Sequence, residues 1–242
     1  MKRTILYAVL AAAMATPLCA RPSQYVYLVH GYGSMTLAMW SMERYLQRDG
    51  FDVTNWGYAS LHTDLRQAGR ELLMHVRSRN DIDTINFVTH SMGGLVVRSM
   101  LGEAMRDSTF PPLGRIVMLS PPNQGTWWSD VFGQSNILKW ILGPNLGHMQ
   151  TDTSALVHTL PLPPPGSVGI IAGARFDEQG YNRFITGDND GFMTPDQMRL
   201  GIGEEFIVIP ELHFFMPQNR KSKAYTRHFL RTGAFPRPPS HD

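Results

Sequence analysis

The stretch Ile85-Asn86-Phe87-Val88-Thr89-His90-Ser91-Met92-Gly93-Gly94-Leu95-Val96 sets a serine between an apolar run and a run with helical periodicity. A strand over Thr84 to Thr89 and a helix over Gly93 to Met105 leave Ser91 on the sharp turn that joins them. Its hydroxyl is thereby lifted above the carboxyl end of the strand. Small residues beside it let strand and helix approach closely. A serine hydroxyl is a weak nucleophile near neutral pH. Acyl transfer therefore requires a histidine to take its proton and a carboxylate to hold that histidine in the right tautomer. The helix start also aims the Met92 backbone N–H at an oxyanion forming beside Ser91. Downstream histidines stand at His148, His158, His213, His228 and His241, and loop aspartates at Asp177, Asp188 and Asp190.

Those groups need a scaffold, and the chain supplies one by alternation. Apolar, β-rich runs over Tyr25 to His30, Asp52 to Trp56, Thr84 to Thr89, Arg115 to Ser120, Val168 to Ala172 and Glu205 to Ile209 read as strands. Several are apolar throughout, as strands buried on both faces must be. Between them, Thr36 to Arg48, Thr63 to Ser78, Gly93 to Met105 and Lys221 to Arg231 carry apolar residues three and four apart and read as helices. This is the pattern of an α/β fold with a mostly parallel sheet of about six strands and helices on both faces. Residues 125 to 165 break the alternation. They hold Trp127, Trp128, Phe132, Ile137, Leu138, Trp140, Ile141 and Leu142 and end in the prolines of Pro161 to Pro165, so they read as an insertion capping the sheet. Pro236 to Asp242 read as a frayed tail.

Thr89-His90-Ser91-Met92-Gly93-Gly94 resembles the GxSxG nucleophile elbow of the α/β-hydrolase superfamily, above all lipase-like and esterase-like serine hydrolases of the small bacterial exported type, which carry HSMGG or HSLGG. The resemblance spans nearly all of residues 25 to 233, with its specific points at His30-Gly31, the elbow, Pro121-Pro122-Asn123-Gln124-Gly125, Asn189-Asp190-Gly191 and His213. It implies that the His30-Gly31 turn supplies the second oxyanion donor, from the backbone N–H of Tyr32, with Gly31 and Gly33 giving that backbone its freedom. It implies His213, in the short loop after the last strand, as the base, and Asp190, in its Asn-Asp-Gly turn, as the acid. Asp188 or Asp177 is the alternative acid, and Asp188 and Asp190 sharing a calcium is the alternative use of that loop. The catalytic set is thus Ser91, Asp190 and His213, with Tyr32 and Met92 amides as the oxyanion hole, and neither cofactor nor metal. One position departs from the pattern: the first glycine of the elbow is Thr89. A β-branched residue fits there only with a β-region backbone and a facing helix that leaves room.

The activity so implied is hydrolysis of a carboxylic ester, by an esterase or lipase, through an acyl-enzyme on Ser91. The alternatives are an acyltransferase or thioesterase with the same triad, and a non-catalytic binding module on a hydrolase scaffold. The tryptophans of the cap suit an apolar guest such as an acyl chain, so the expected partners are a small-molecule ester or lipid and a transient lipid interface met through the cap. Residues 1 to 20 have Lys2 and Arg3 before an apolar run from Ile5 to Ala15, then Pro17-Leu18-Cys19-Ala20, and read as a cleaved secretory signal peptide ahead of a single domain over 21 to 242. The alternatives are a membrane anchor, for which the run is too short, and a lipidated Cys19, for which Leu18 is too bulky. Export to a periplasm or the medium is the expectation. Removing the leader lowers Lys+Arg from 22 to 20, equal to Asp+Glu at 20, which leaves no basic excess for nucleic acid. It also removes the only cysteine, so neither thiolate catalysis nor a disulfide is expected.

Overall fold

The computed structural model describes residues 24–79 and 81–237; the leader at 1 to 20 with Cys19, and the end of the tail, lie outside the described residues. Six strands, β1 (Gln24–Val29), β2 (Asp52–Trp56), β3 (Thr84–His90), β4 (Leu113–Leu119), β5 (Val168–Ala174) and β6 (Glu205–Pro210), form one sheet in the order β2-β1-β3-β4-β5-β6. Every pairing is parallel. The sheet is therefore parallel throughout, slightly more regular than the mostly parallel sheet expected. Each strand lies within about two residues of its sequence reading; in inner strands such as β3 and β5, buried on both faces along nearly their whole length, the apolar run coincides with the strand.

Helices cover both faces. α1 (Trp40–Arg48) and α9 (Arg220–Thr232) pack on one side, where Met42, Leu46, Phe229 and Leu230 meet Val26 and Leu28 of β1. α2 (Leu65–Arg77) and α3 (Gly93–Ala104) pack on the other, where Leu65, Leu72, Val96 and Met100 meet Tyr25, Tyr27 and Val29. The period of two along β1 is thus divided cleanly between two cores. α2 starts later than its periodicity indicates because Asp64 is extended and caps it, accepting from the Arg66 N–H at 2.9 Å. The run read as one helix over Thr36 to Arg48 opens instead as a 3-10 turn over Thr36–Met39 before α1.

Between β4 and β5 come four short helices, α4 (Trp127–Phe132), α5 (Asn136–Leu142), α6 (Asn145–His148) and α7 (Leu156–Thr159). The end of this segment is pinned by Arg98 of α3, whose buried guanidinium donates to the carbonyls of Val157, Leu160 and Pro161 and to Asn123 Oδ1. Burial with no carboxylate among those partners pulls its pKa down to about 10. The middle is pinned by Asn145, fully buried, which donates to the carbonyls of Ser60 and Thr63. α8 (Pro195–Met198) closes the long loop after β5 with a Thr194–Gln197 capping box.

Strand register decides what meets at the carboxyl rim. Val29 pairs with Thr89 and His90 with Leu119, so the loops leaving β1 and β3 emerge side by side. Ala174 pairs with Pro210, which does the same for the loops leaving β5 and β6.

Candidate active site

Ser91 has φ +52°, in the left-handed region where a residue with a Cβ is strained by about 1–3 kcal/mol. Its N–H donates to the Leu119 carbonyl at 2.9 Å, and its own carbonyl accepts from Gly94 at 3.0 Å, which fixes the turn from both ends. The helix can start this close to the sheet only because residue 93 lacks a side chain: a Cβ there would stand 2.3 Å from the Val29 carbonyl oxygen. The β-branched Thr89 is accommodated on the two terms the sequence set for it. It lies within β3, and the residue facing it is Gly94, whose missing Cβ would come within 3.3 Å of Thr89 Oγ1.

The loop after β6 carries His213, which is 3% exposed, and the loop after β5 carries Asp190, which is fully buried. His213 Nδ1 donates to Asp190 Oδ2 at 2.7 Å. With the proton held on Nδ1, Nε2 is the basic nitrogen of the neutral ring. Asp190 Oδ1 accepts from the N–H groups of Phe192 and Met193 at 3.0 and 3.1 Å, and the His213 N–H donates to the Asp190 carbonyl at 2.9 Å, so the two residues are locked together by backbone as well as side chain. Asn189, also buried, ties the acid loop to Gln179, Asn182 and Gly187.

The other candidates lie elsewhere. Asp188 accepts the N–H groups of Arg175 and Phe176, and Asp177 accepts those of Gln179 and Gly180 and pairs with Arg175, so both staple the loop rather than meet His213. His148 pairs with Asp64 at 2.7 Å. His228 lies in α9, and His241 falls outside the described residues. Among the described residues no group of three or more histidine, cysteine or acidic side chains is arranged to hold a metal ion.

Ser91 and His213 line one cavity of about 330 Å³, together with Tyr32, Ala38, Trp128, Phe132, Leu138, Leu142, Phe192 and Phe214. No hydrogen bond joins the Ser91 hydroxyl to His213; the two share the cavity wall, a relation common where a nucleophile and base tighten only around substrate. The backbone N–H groups of Tyr32 and Met92 donate to no protein acceptor among the described residues, which leaves both amides free beside Ser91. Gly33, at φ +62°, turns the loop that carries the Tyr32 amide. The Tyr32 hydroxyl donates to the Leu142 carbonyl at the end of α5, and Ser60 Oγ donates to the Ser34 carbonyl at 3.3 Å, so this loop is held from above and from the side. Burial raises the Tyr32 hydroxyl to about 12, keeping it a donor.

Four contributors were not singled out from sequence as part of the site. Phe192 stacks on the His213 ring at 4.7 Å between centroids, with Phe214 edge-on at 5.8 Å, so the imidazole sits in an aromatic slot. Trp128 Nε1 donates to the Gly191 carbonyl at 3.3 Å, joining α4 to the acid loop. His90 Nε2 contacts the His213 carbonyl at 2.9 Å. Phe192 follows Asp190 by two residues, which is the one sequence signal that could have marked it.

A family model described as "Domain of unknown function (DUF7379)" matches residues 7–143. No curated protein sequence matches. Solved structures do. The lipase BlEst2 of Bacillus licheniformis in its mature form is 18% identical, with a TM-score of 0.61 over 88% of this chain and 92% of that one. An extracellular α/β-hydrolase from a Paenibacillus species is 13% identical, with a TM-score of 0.55 over 87% and 99%. A structure from work on carboxylesterases of the ammonia-oxidizing thaumarchaeon Nitrososphaera gargenis is 15% identical, with a TM-score of 0.55 over 87% and 91%. At these identities the likeness is one of fold: the chain has the α/β-hydrolase fold.

Proposed function

We propose that this chain, which belongs to the DUF7379 family, is a serine hydrolase of carboxylic esters, with Ser91 as nucleophile, His213 as base and Asp190 as acid. The observation that carries the reading is the 2.7 Å hydrogen bond from His213 Nδ1 to the fully buried Asp190, beside a strained Ser91 on the wall of the same cavity. His213 Nε2 takes the Ser91 proton as Oγ bonds to the ester carbonyl carbon. The oxyanion so formed accepts from the Tyr32 and Met92 amides, worth about 3 kcal/mol each by analogy with known oxyanion holes. Collapse breaks the bond to the alkoxy group, which leaves as an alcohol carrying the proton from His213. Water, deprotonated by His213, then releases the acid and restores Ser91.

The cavity is lined mainly by carbon, and its volume of about 330 Å³ is at the small end of ligand pockets, in keeping with an acyl chain of modest length. Around it Leu37, Ile137, Trp140 and Phe214 are 72%, 71%, 85% and 61% exposed, which supports transient contact with a lipid–water interface. The leader at 1 to 20 supports export. Replacing Ser91→Ala and assaying chromogenic esters of graded chain length tests the reading: turnover should vanish, and unchanged turnover refutes it. Labelling of wild type, but not of the variant, by a fluorophosphonate is the matching chemical result.

A further inference from the structure

His90 precedes the nucleophile, yet its ring is aimed at the base. Its Nε2 lies 2.9 Å from the backbone carbonyl of His213, a residue 123 positions away, and the two imidazoles are 4.9 Å apart. A carbonyl only accepts, so Nε2 must carry the proton, which leaves Nδ1 as a bare acceptor. That Nδ1 is buried and has no hydrogen-bond partner. An apolar side chain at this place would avoid burying an unsatisfied nitrogen. What the imidazole gives in return is one donor, directed at the loop that presents the catalytic base.

We infer that His90 is a positioning residue for His213: its Nε2–H fixes the His213 carbonyl, and with it the reach of the imidazole toward Ser91. The inference rests on the serine-hydrolase reading of this site. The rest of the His213 surroundings explains why a single donor matters. Asp190 holds Nδ1 and the His213 N–H, while Phe192 and Phe214 bound the ring faces and edge. On the carbonyl side of the residue, the Met216 N–H closes the 3-10 turn of the same loop at 3.4 Å, and His90 supplies the shorter contact and the one that comes from outside that loop. Burial, followed by the neighbouring His213, pushes the His90 pKa down to about 3, so it is a neutral donor at any pH where the enzyme works and adds no positive charge beside the base.

The side-chain geometry sets the test. In glutamine the terminal nitrogen is as many bonds from the backbone as histidine Nε2, whereas in asparagine it reaches only as far as Nδ1. The full-length protein with His90→Gln, His90→Asn and His90→Leu is compared with wild type by the rate of fluorophosphonate labelling of Ser91 and by kcat and KM on a short chromogenic ester. The inference expects Leu and Asn to lose on the order of 10- to 100-fold in labelling rate and kcat at little change in KM, as a misplacement of about an ångström does. Gln should recover most of that loss. Proton NMR adds a readout independent of turnover, since the His213 Nδ1–H shared with Asp190 should broaden in Leu and Asn and return in Gln. Labelling by Leu and Asn at the wild-type rate overturns the inference alone, as does a folded Gln variant no better than Leu. A wild type that resists the probe overturns the hydrolase reading, and the inference with it.

Discussion

The buried, neutral His90 makes this fold sensitive to acid in a way that can be worked from the structure. Its pKa lies at about 3 against an ordinary 6.5, because burial and the adjacent His213 disfavour the charged ring. A group whose pKa is lower in the folded state leaves stability whole above its unfolded pKa, and erodes it as pH falls from there toward the folded value. The unfolded chain binds the proton from about pH 6.5 downward and the folded one does not until about pH 3. Proton linkage over the step from pH 7 to pH 5 then costs about 2 kcal/mol from this one residue, rising to about 4 kcal/mol near pH 3. His30 is also shifted down by burial and adds to the acid loss of wild type. Replacing His90→Gln removes only the His90 share. Urea denaturation of both proteins at pH 7 and pH 5 isolates it: wild type should lose about 2 kcal/mol more over that step than the variant. Equal losses in the two proteins would refute the reasoning, because they would mean that residue 90 takes up its proton in the folded state as readily as in the unfolded one.

Three further outcomes follow from particular contacts. Asp190→Asn should lower kcat on the order of 10⁴-fold with KM little changed, because one amide cannot accept from His213 and from the Phe192 and Met193 N–H groups together; steady-state kinetics on a chromogenic ester decides it. Gly93→Ala should destabilise by about 3 kcal/mol or more, read by urea denaturation, since its Cβ meets the Val29 carbonyl at 2.3 Å and backbone cannot yield there. Arg98→Met should lose about 3 kcal/mol or more in the same assay, through the buried carbonyls of Val157 and Leu160 left without a donor.

Much of the scaffold was legible along the chain because its signals are local. β5 is buried at every position, so its apolar run and its strand are one thing. α2 shows its apolar stripe at Leu65, Ala68, Leu72 and Val76, and only its cap at Asp64 shifts its start. The elbow was legible for the same reason: strand, turn and helix are contiguous, and the clash that would forbid a side chain at residue 93 falls on a neighbouring strand of the same sheet. What could not be read was how separate loops meet. Phe192 finds His213 and Phe214 because β5 and β6 end in register, and nothing in the residue types says so. The partner of His90 lies too far along the chain for any periodicity to reveal. The segment from 125 to 165 was legible as an interruption, but its four short helices are set by anchors such as Arg98 and Asn145 rather than by a repeat of their own.

The phenol of Tyr32 and the carbonyl of Leu142 together constrain anyone who would re-engineer substrate range on this chassis. Exchanging the helices over the cavity for a donor module is not a modular operation, because the incoming piece must bring an acceptor to the same spot or the amide of residue 32 loses its brace. Libraries that vary α5 should therefore leave its final turn alone, or co-vary residue 32 with it.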